Sequence, residues 1–290
     1  MFRNLPVLFR CVRWSDVLIL GGVPTLGLAF SHRHPDLLVV LGFGFAAFLL
    51  LAHAFTLNDW ADFTRGVHHS NRAMLQLESR NISPRGLLAF SFALLALALA
   101  IFSALSLASL LLALSVAVLG ILYSHPWFNA KSTPVISTLL HLLGASLDFL
   151  FGYGLAAPID FRGIAIALFF GLAFAAGHPV QEARDFEEDQ RTGARTNAVV
   201  FGQRPAFVAG VVLFIVEYVY LFALSAGRLV PFWLVVLPCV FLPLQLWWSI
   251  EALRVPLTGE NIRRFQNKYR ILYVVIGLAL LAAALYGRQI

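Results

Sequence analysis

Residues 37–57 read LLVVLGFGFAAFLLLAHAFTL, and the five that follow are Asn58-Asp59-Trp60-Ala61-Asp62. A helix needs about 20 apolar residues to cross the hydrocarbon core of a bilayer, and this run reaches that length without an Asp, Glu, Lys or Arg. Carboxylates placed directly at its end are costly unless something binds them. The same arrangement recurs after the apolar run ending near Val180, where the chain continues Glu182-Ala183-Arg184-Asp185-Phe186-Glu187-Glu188-Asp189.

Composition agrees with a membrane setting. Of 290 residues, 60% are hydrophobic and 12% charged, with a mean hydropathy of +0.81. A soluble domain carries about 25% charged residues. Apolar runs cover residues 17–30, 37–57, 86–105, 107–123, 135–157, 164–180, 206–226, 229–250 and 271–286. The expectation is an all-α integral membrane protein with nine transmembrane helices. The first run is short and contains Pro24, and Ser106 marks a tight turn between the third and fourth. Residues 2–13 carry arginines ahead of an apolar stretch, but no small-residue cleavage pattern follows. They read as an interfacial amphipathic piece before a retained span. Cys11 and Cys239 lie too far apart in character and position to suggest a disulfide framework or a zinc site.

The formal charge of +6 needs no nucleic acid to explain it. With the N-terminus cytoplasmic, 17 of the 21 Lys and Arg fall on the inside, leaving Arg33, Arg162, Arg228 and Arg288 outside. That bias is the positive-inside rule. It predicts a multi-pass protein of the plasma (inner) membrane with its C-terminus outside and both acidic clusters cytoplasmic. The chain reads as one polytopic domain over 1–290, with acidic loops at about 58–85 and 181–204.

Asn58 and Asp62 are four residues apart, as are Asp185 and Asp189. If each cluster extends its preceding helix, each pair sits one turn apart on one face. Asp59 flanks the first pair, and Glu182 lies about a turn before the second, as a source of outer contacts. Such hard oxygens suit Mg²⁺, which keeps open positions for water or phosphate. A metal-bridged diphosphate is a stabilised leaving group, so that a C–O bond can ionise to a carbocation. One acidic run alone reads equally well as a solvated helix end; two with the same spacing on one side favour the metal.

These motifs resemble the UbiA superfamily of intramembrane prenyltransferases, and the likeness covers nearly the whole chain. Asn58-Asp59-Trp60-Ala61-Asp62 matches the first five positions of the family's NDxxDxxxD motif. Asp185-Phe186-Glu187-Glu188-Asp189 matches its DxxxD motif, continued by Gly193, Thr196 and Phe201-Gly202. Tyr123-Ser124-His125-Pro126 followed by Lys131 is similar to the family's Tyr-x-x-Pro segment with a downstream basic residue. The resemblance implies nine helices around a central cavity, with Asn58, Asp62, Asp185 and Asp189 as Mg²⁺ ligands. It also implies Lys131 and Arg72 as diphosphate contacts and Tyr123 in the substrate site. The sequence departs from the pattern at Gly66, where the last Asp of the first motif is missing. His68 and His69 stand nearby, but imidazole is a poor Mg²⁺ ligand.

Each remaining polar residue has a plainer reading beside the functional one. Lys131 also fits as a topology marker, and Arg72 as a solvated loop residue. Asp148 lies mid-span, seven residues after His141 and on its face. It either orients a polar acceptor, helps remove a proton, or bonds a neighbouring span. Glu217 reads as a neutral hydrogen-bonded carboxyl, and Trp247 and Trp248 as interfacial anchors. Residues 251–270 form a basic loop that either faces anionic lipid or caps the site. The function expected is Mg²⁺-dependent transfer of a prenyl group from an isoprenyl diphosphate to a lipophilic, aromatic acceptor in isoprenoid biosynthesis. A UbiA-type terpene cyclase would share the ionisation step. A transporter is the reading from another class, although neither paired broken helices nor repeat symmetry is visible.

Overall fold

The computed structural model describes residues 12, 17, 20–31, 35–64 and 83–286. Its regular elements are helical. In chain order they are α1 (Gly22–Phe30), α2 (Leu37–Thr64), α3 (Pro84–Leu105), α4 (Leu107–Ser124), α5 (Ile136–Ala156), α6 (Phe161–Arg184), α7 (Phe186–Thr192), α8 (Asn197–Phe201), α9 (Gln203–Ala226), α10 (Val236–Leu253) and α11 (Gly259–Tyr286). Short 3₁₀ turns cover Ala130–Ser132 and Phe232–Val235. Among the described residues, eight helical segments are long and apolar enough to cross a membrane. They correspond to the second through ninth expected spans; α1 represents the first.

Helix boundaries follow from capping. Ser83 accepts from the Gly86 amide at 3.1 Å, and Pro84 starts α3 where its missing N–H costs nothing. Ser106 is extended (φ −166°, ψ 153°), ends α3, and caps α4 by accepting from the Ser109 amide. The expected tight turn is therefore a shared cap. Three boundaries differ from expectation, one being the end of α6, which runs past Val180 to Arg184 so that the expected acidic loop is largely helical. Helix α2 runs on through Thr64 because nothing in its acidic end breaks the backbone ladder. Helix α11 begins at Gly259 rather than near residue 271 and α10 runs to Leu253, so most of the expected basic loop is helical. Ile262, Phe265 and Tyr269 recur on one face of that segment and are buried.

Helix α6 is the inner element, buried inside the protein over most of its apolar length, whereas every other span is mostly turned outward. It packs against α5 and α9, with α1 and α11 also touching it. Helix α5 joins two cores by opposite faces. Phe149 packs with Phe30 and Phe170 in one, and Phe151 with Phe43 and Phe102 in the other. The outer faces of α2, α4, α9 and α11 carry exposed Leu38, Phe45, Leu111, Val118, Val219 and Leu278, as lipid contact requires.

Small residues set the closest crossings, as is usual between helices in lipid. A Cβ at Gly152 would lie 1.8 Å from the Pro24 carbonyl oxygen, and one at Gly27 would lie 2.0 Å from that of Phe149. Helices α1 and α5 thus touch backbone to backbone. Gly152→Val will lower the thermal midpoint in detergent, at a cost of at least about 1–3 kcal/mol for overpacking. Gly144→Ala, which meets nothing within 4 Å, serves as the neutral comparison.

Candidate functional site

The first acidic motif occupies the end of α2, so Asn58 and Asp62 do lie one turn apart on a single helix. Their side chains meet, with Asn58 Nδ2 at 3.4 Å from Asp62 Oδ2. Lys131 joins them from the 3₁₀ turn, donating to Asn58 Oδ1 at 3.1 Å and forming an ion pair with Asp62. Asp59 points inward and is buried. The approach to Lys131 is built from the Tyr123-Ser124-His125-Pro126 segment. His125 ends α4, its ring lies 5.6 Å from that of Trp60, and Asn129 takes a left-handed conformation (φ 46°) that asparagine tolerates.

The helix preceding the second motif is interrupted at one residue. Helix α6 stops at Arg184, Asp185 adopts φ −93° and ψ 8°, and α7 starts afresh at Phe186. Asp185 and Asp189 still lie a turn apart because the Asp189 amide donates to the Asp185 carbonyl at 2.9 Å. Gly193 closes α7 at φ 72°, where a side chain would be strained. Asp189 accepts from Thr196 Oγ1 at 3.1 Å. Burial pushes its carboxyl up to about 7, Thr196 opposes that shift, and the charges of Asp185, Glu182 and Glu188 add to it. A bound cation would offset that cost. The Asp185 carboxylate is held in a fork by Arg184, at 2.7 and 2.6 Å.

Asn197, which the sequence reading did not single out, joins the two halves. Its side-chain Oδ1 accepts from the Val135 amide at 2.7 Å, and its Nδ2 donates to Glu182 Oε2 at 2.8 Å. Glu182 also accepts from the Asn197 amide at 3.0 Å and from Ser137 Oγ at 3.3 Å. Its oxygens therefore face protein donors between α5, α6 and α8. Val135 sits at φ 66°, a costly conformation for a β-branched residue. The brace fixes this turn four residues after Lys131. Below it, the rings of His141 and His178 lie in contact with centroids 3.8 Å apart and planes tilted by 34°, and Tyr123 meets His141 edge-on at 5.2 Å. His178 Nδ1 lies 3.2 Å from Thr138 Oγ1.

Other expected residues are placed as follows. Asp148 is half-buried on α5, two turns beyond His141. Glu217 is buried and accepts from Tyr273 Oη at 2.8 Å. Trp247 is exposed, and Lys268 lies over the Trp248 ring. Arg72, Gly66, His68 and His69 lie outside the described residues. Among the described residues, no three His, Cys, Asp or Glu side chains form a ready-made metal cage. Paired hard oxygens at each motif nonetheless fit Mg²⁺, which takes one or two carboxylates and fills its octahedron with water and phosphate.

The model of the UbiA prenyltransferase family matches residues 22–274. The chain belongs to that family. It is 27% identical over 182 residues to digeranylgeranylglyceryl phosphate synthase of Haloquadratum walsbyi, a match spanning 62% of this chain and 60% of that protein. In structure this UbiA-family chain is similar to one solved in work on digeranylgeranylglyceryl phosphate synthase in membranes, with a TM-score of 0.77 at 19% identity over 98% of this chain and 99% of that one. It is also similar to a UbiA homologue from Archaeoglobus fulgidus bound to GPP and Mg²⁺, with a TM-score of 0.72 at 19% identity, covering 98% and 100%. A UbiA homologue from Aeropyrum pernix K1 gives 0.72 at 16% identity, covering 96% and 100%. At these identities the solved structures speak for the fold.

Asn197→Ala will lower the thermal midpoint in detergent by an amount corresponding to about 1–3 kcal/mol, because it leaves a buried carboxylate and the Val135 amide short of partners. Glu182→Gln, which keeps an acceptor for Asn197, will cost less in the same measurement.

Proposed function

We propose that this protein transfers a prenyl group from an isoprenyl diphosphate to a lipophilic acceptor inside the membrane, with Mg²⁺. One observation carries the reading: Lys131 reaches from a separate turn onto Asn58 and Asp62, at the end of a membrane span. A primary ammonium set among hard oxygens at the head of an apolar bundle suits an anionic headgroup with a hydrocarbon tail. Mg²⁺ held by Asn58, Asp62, Asp185 and Asp189 would supply charge neutralisation for the diphosphate as it leaves. Lys131 holds the same anion as a point charge, and Arg72 is a second contact proposed from the sequence. Asp59 and Glu182 support the motifs from within, and the apolar walls keep water from the reacting carbon. Tyr123 and Asp148 are contacts for the acceptor proposed from the sequence.

An aromatic acceptor is the reading taken from sequence. A glycerol-based acceptor is favoured by the relative in Haloquadratum walsbyi, whose name carries a glyceryl phosphate. Incubating the purified protein with labelled geranylgeranyl diphosphate and either acceptor class separates the two. Product from the diphosphate alone would point to a cyclase instead.

Turnover will require Mg²⁺ or Mn²⁺ and stop with EDTA. Asp62→Ala and Asp185→Ala will each lose about two orders of magnitude in rate, the scale of one charge-stabilising contact. Full activity in either variant defeats the two-site reading. The proposed orientation in the plasma membrane places Lys131 and Thr192 in the cytoplasm and Asp160 and Gly227 outside. Reporter fusions at these four positions check it, and an external signal at Thr192 would overturn it.

A further inference from the structure

Arg184 stands between the second acidic motif and the loop that precedes α11. Its Nε and Nη2 donate to the two oxygens of Asp185 at 2.7 and 2.6 Å, and its Nη1 donates to Gln266 Oε1 at 2.9 Å. Gln266 is 1% exposed, so the far end of the guanidinium is anchored in the bundle. The backbone around it is tied down as well. Gln203 Nε2 donates to both the Ala183 and Leu257 carbonyls at 2.9 and 2.5 Å, and a Cβ on Gly259 would lie 3.1 Å from the Arg184 carbonyl oxygen. Arg184 is thus a cation held in place beside Asp185, with its fork aimed at the carboxylate.

That arrangement has two opposed effects on what Asp185 can bind. A bidentate guanidinium occupies one lone pair on each oxygen and adds a positive charge beside any divalent ion that approaches. It therefore competes with a metal ion arriving alone. Diphosphate offers the same planar fork a richer set of anionic oxygens, and a guanidinium recognises phosphate and carboxylate by the same geometry. A ligand that brings both metal and phosphate oxygens gives Arg184 a second partner at the moment Asp185 is needed for the metal.

We propose that Arg184 is an anion-binding residue that passes from Asp185 to the diphosphate, so that the site takes metal and prenyl diphosphate together and resists metal alone. The proposal rests on the reading that Asp185 holds Mg²⁺. No covalent step is involved; one ion pair is exchanged for another while Gln266 keeps hold of the outer nitrogen or releases it.

The test is a binding measurement on the full chain in detergent, reading free Mn²⁺ by electron paramagnetic resonance with and without inorganic pyrophosphate or geranyl diphosphate. In Arg184→Gln, Mn²⁺ alone will bind more tightly than in the unaltered protein. Its pyrophosphate-supported binding will weaken by about tenfold or more, the scale of a lost charge-assisted bond. Arg184→Lys, which keeps the charge without the fork, will fall between. A residue with only a structural role would weaken both measurements, and that result, or unchanged Mn²⁺ affinity, overturns the proposal. Asp185→Asn separates the two readings. If it binds Mn²⁺ as well as the unaltered protein does, the assignment of Asp185 to the metal fails. If it loses Mn²⁺ while Arg184→Gln shows no tightening, only the exchange fails.

Discussion

Polar groups placed within a lipid-facing bundle must find partners in the protein, and here one asparagine meets that demand for two segments at once. Asn197 receives the Val135 amide and donates to Glu182, so the turn carrying Lys131 and the helix carrying the second acidic motif share a fixed point. Glu182 in turn gathers Ser137 and the Asn197 amide. If those bonds are removed, a carboxylate lies in low dielectric without compensation, a far larger penalty than any one hydrogen bond is worth. The motif geometry is thus a consequence of satisfying Glu182, as much as of helix packing.

The apolar architecture makes this possible by keeping the inner helix crowded. Helix α6 is enclosed by α5 and α9 over most of its length. Its Gly171 lies against Ser146 Oγ and the Leu142 carbonyl, while Gly210 of α9 lies against the Ala176 carbonyl. In lipid there is no hydrophobic drive between spans, so such close contacts and the buried hydrogen bonds supply the association. The backbone contact of α1 with α5 extends the same device to the edge of the bundle.

Much of this was legible in the sequence. Eight spans could be read because charge-free runs near 20 residues are the length a bilayer demands and are rare in soluble chains. The end of α2 could be read because Asn58 and Asp62 keep helical spacing. The break at Asp185 was not legible: Gln181 to Arg184 are compatible with helix, and no Gly or Pro marks the interruption. Arg184 and Gln266 are 82 residues apart, and no local pattern marks Gln266 as a partner. Residues 259–270 escaped because averaging over their arginines hides Ile262, Phe265 and Tyr269 on one face. Asn197 carried a weak signal, a lone amide before Ala198-Val199-Val200-Phe201, but its importance lies in contacts that sequence alone does not record.

The distance along the chain between these partners bears on how the protein is made. Lys131 and Asp62 are 69 residues apart, and Val135 and Asn197 are 62 apart. A nascent chain that has inserted only through α5 already contains Lys131 and both residues of the first motif. It still lacks the amide that steadies the Val135 turn. The strained backbone next to Lys131 gains its brace only after α6 has entered the membrane and α8 has followed. Assembly of the site is thereby linked to the later spans, and an insertion intermediate stalled before residue 197 would hold half of the polar cluster without the partner that settles it.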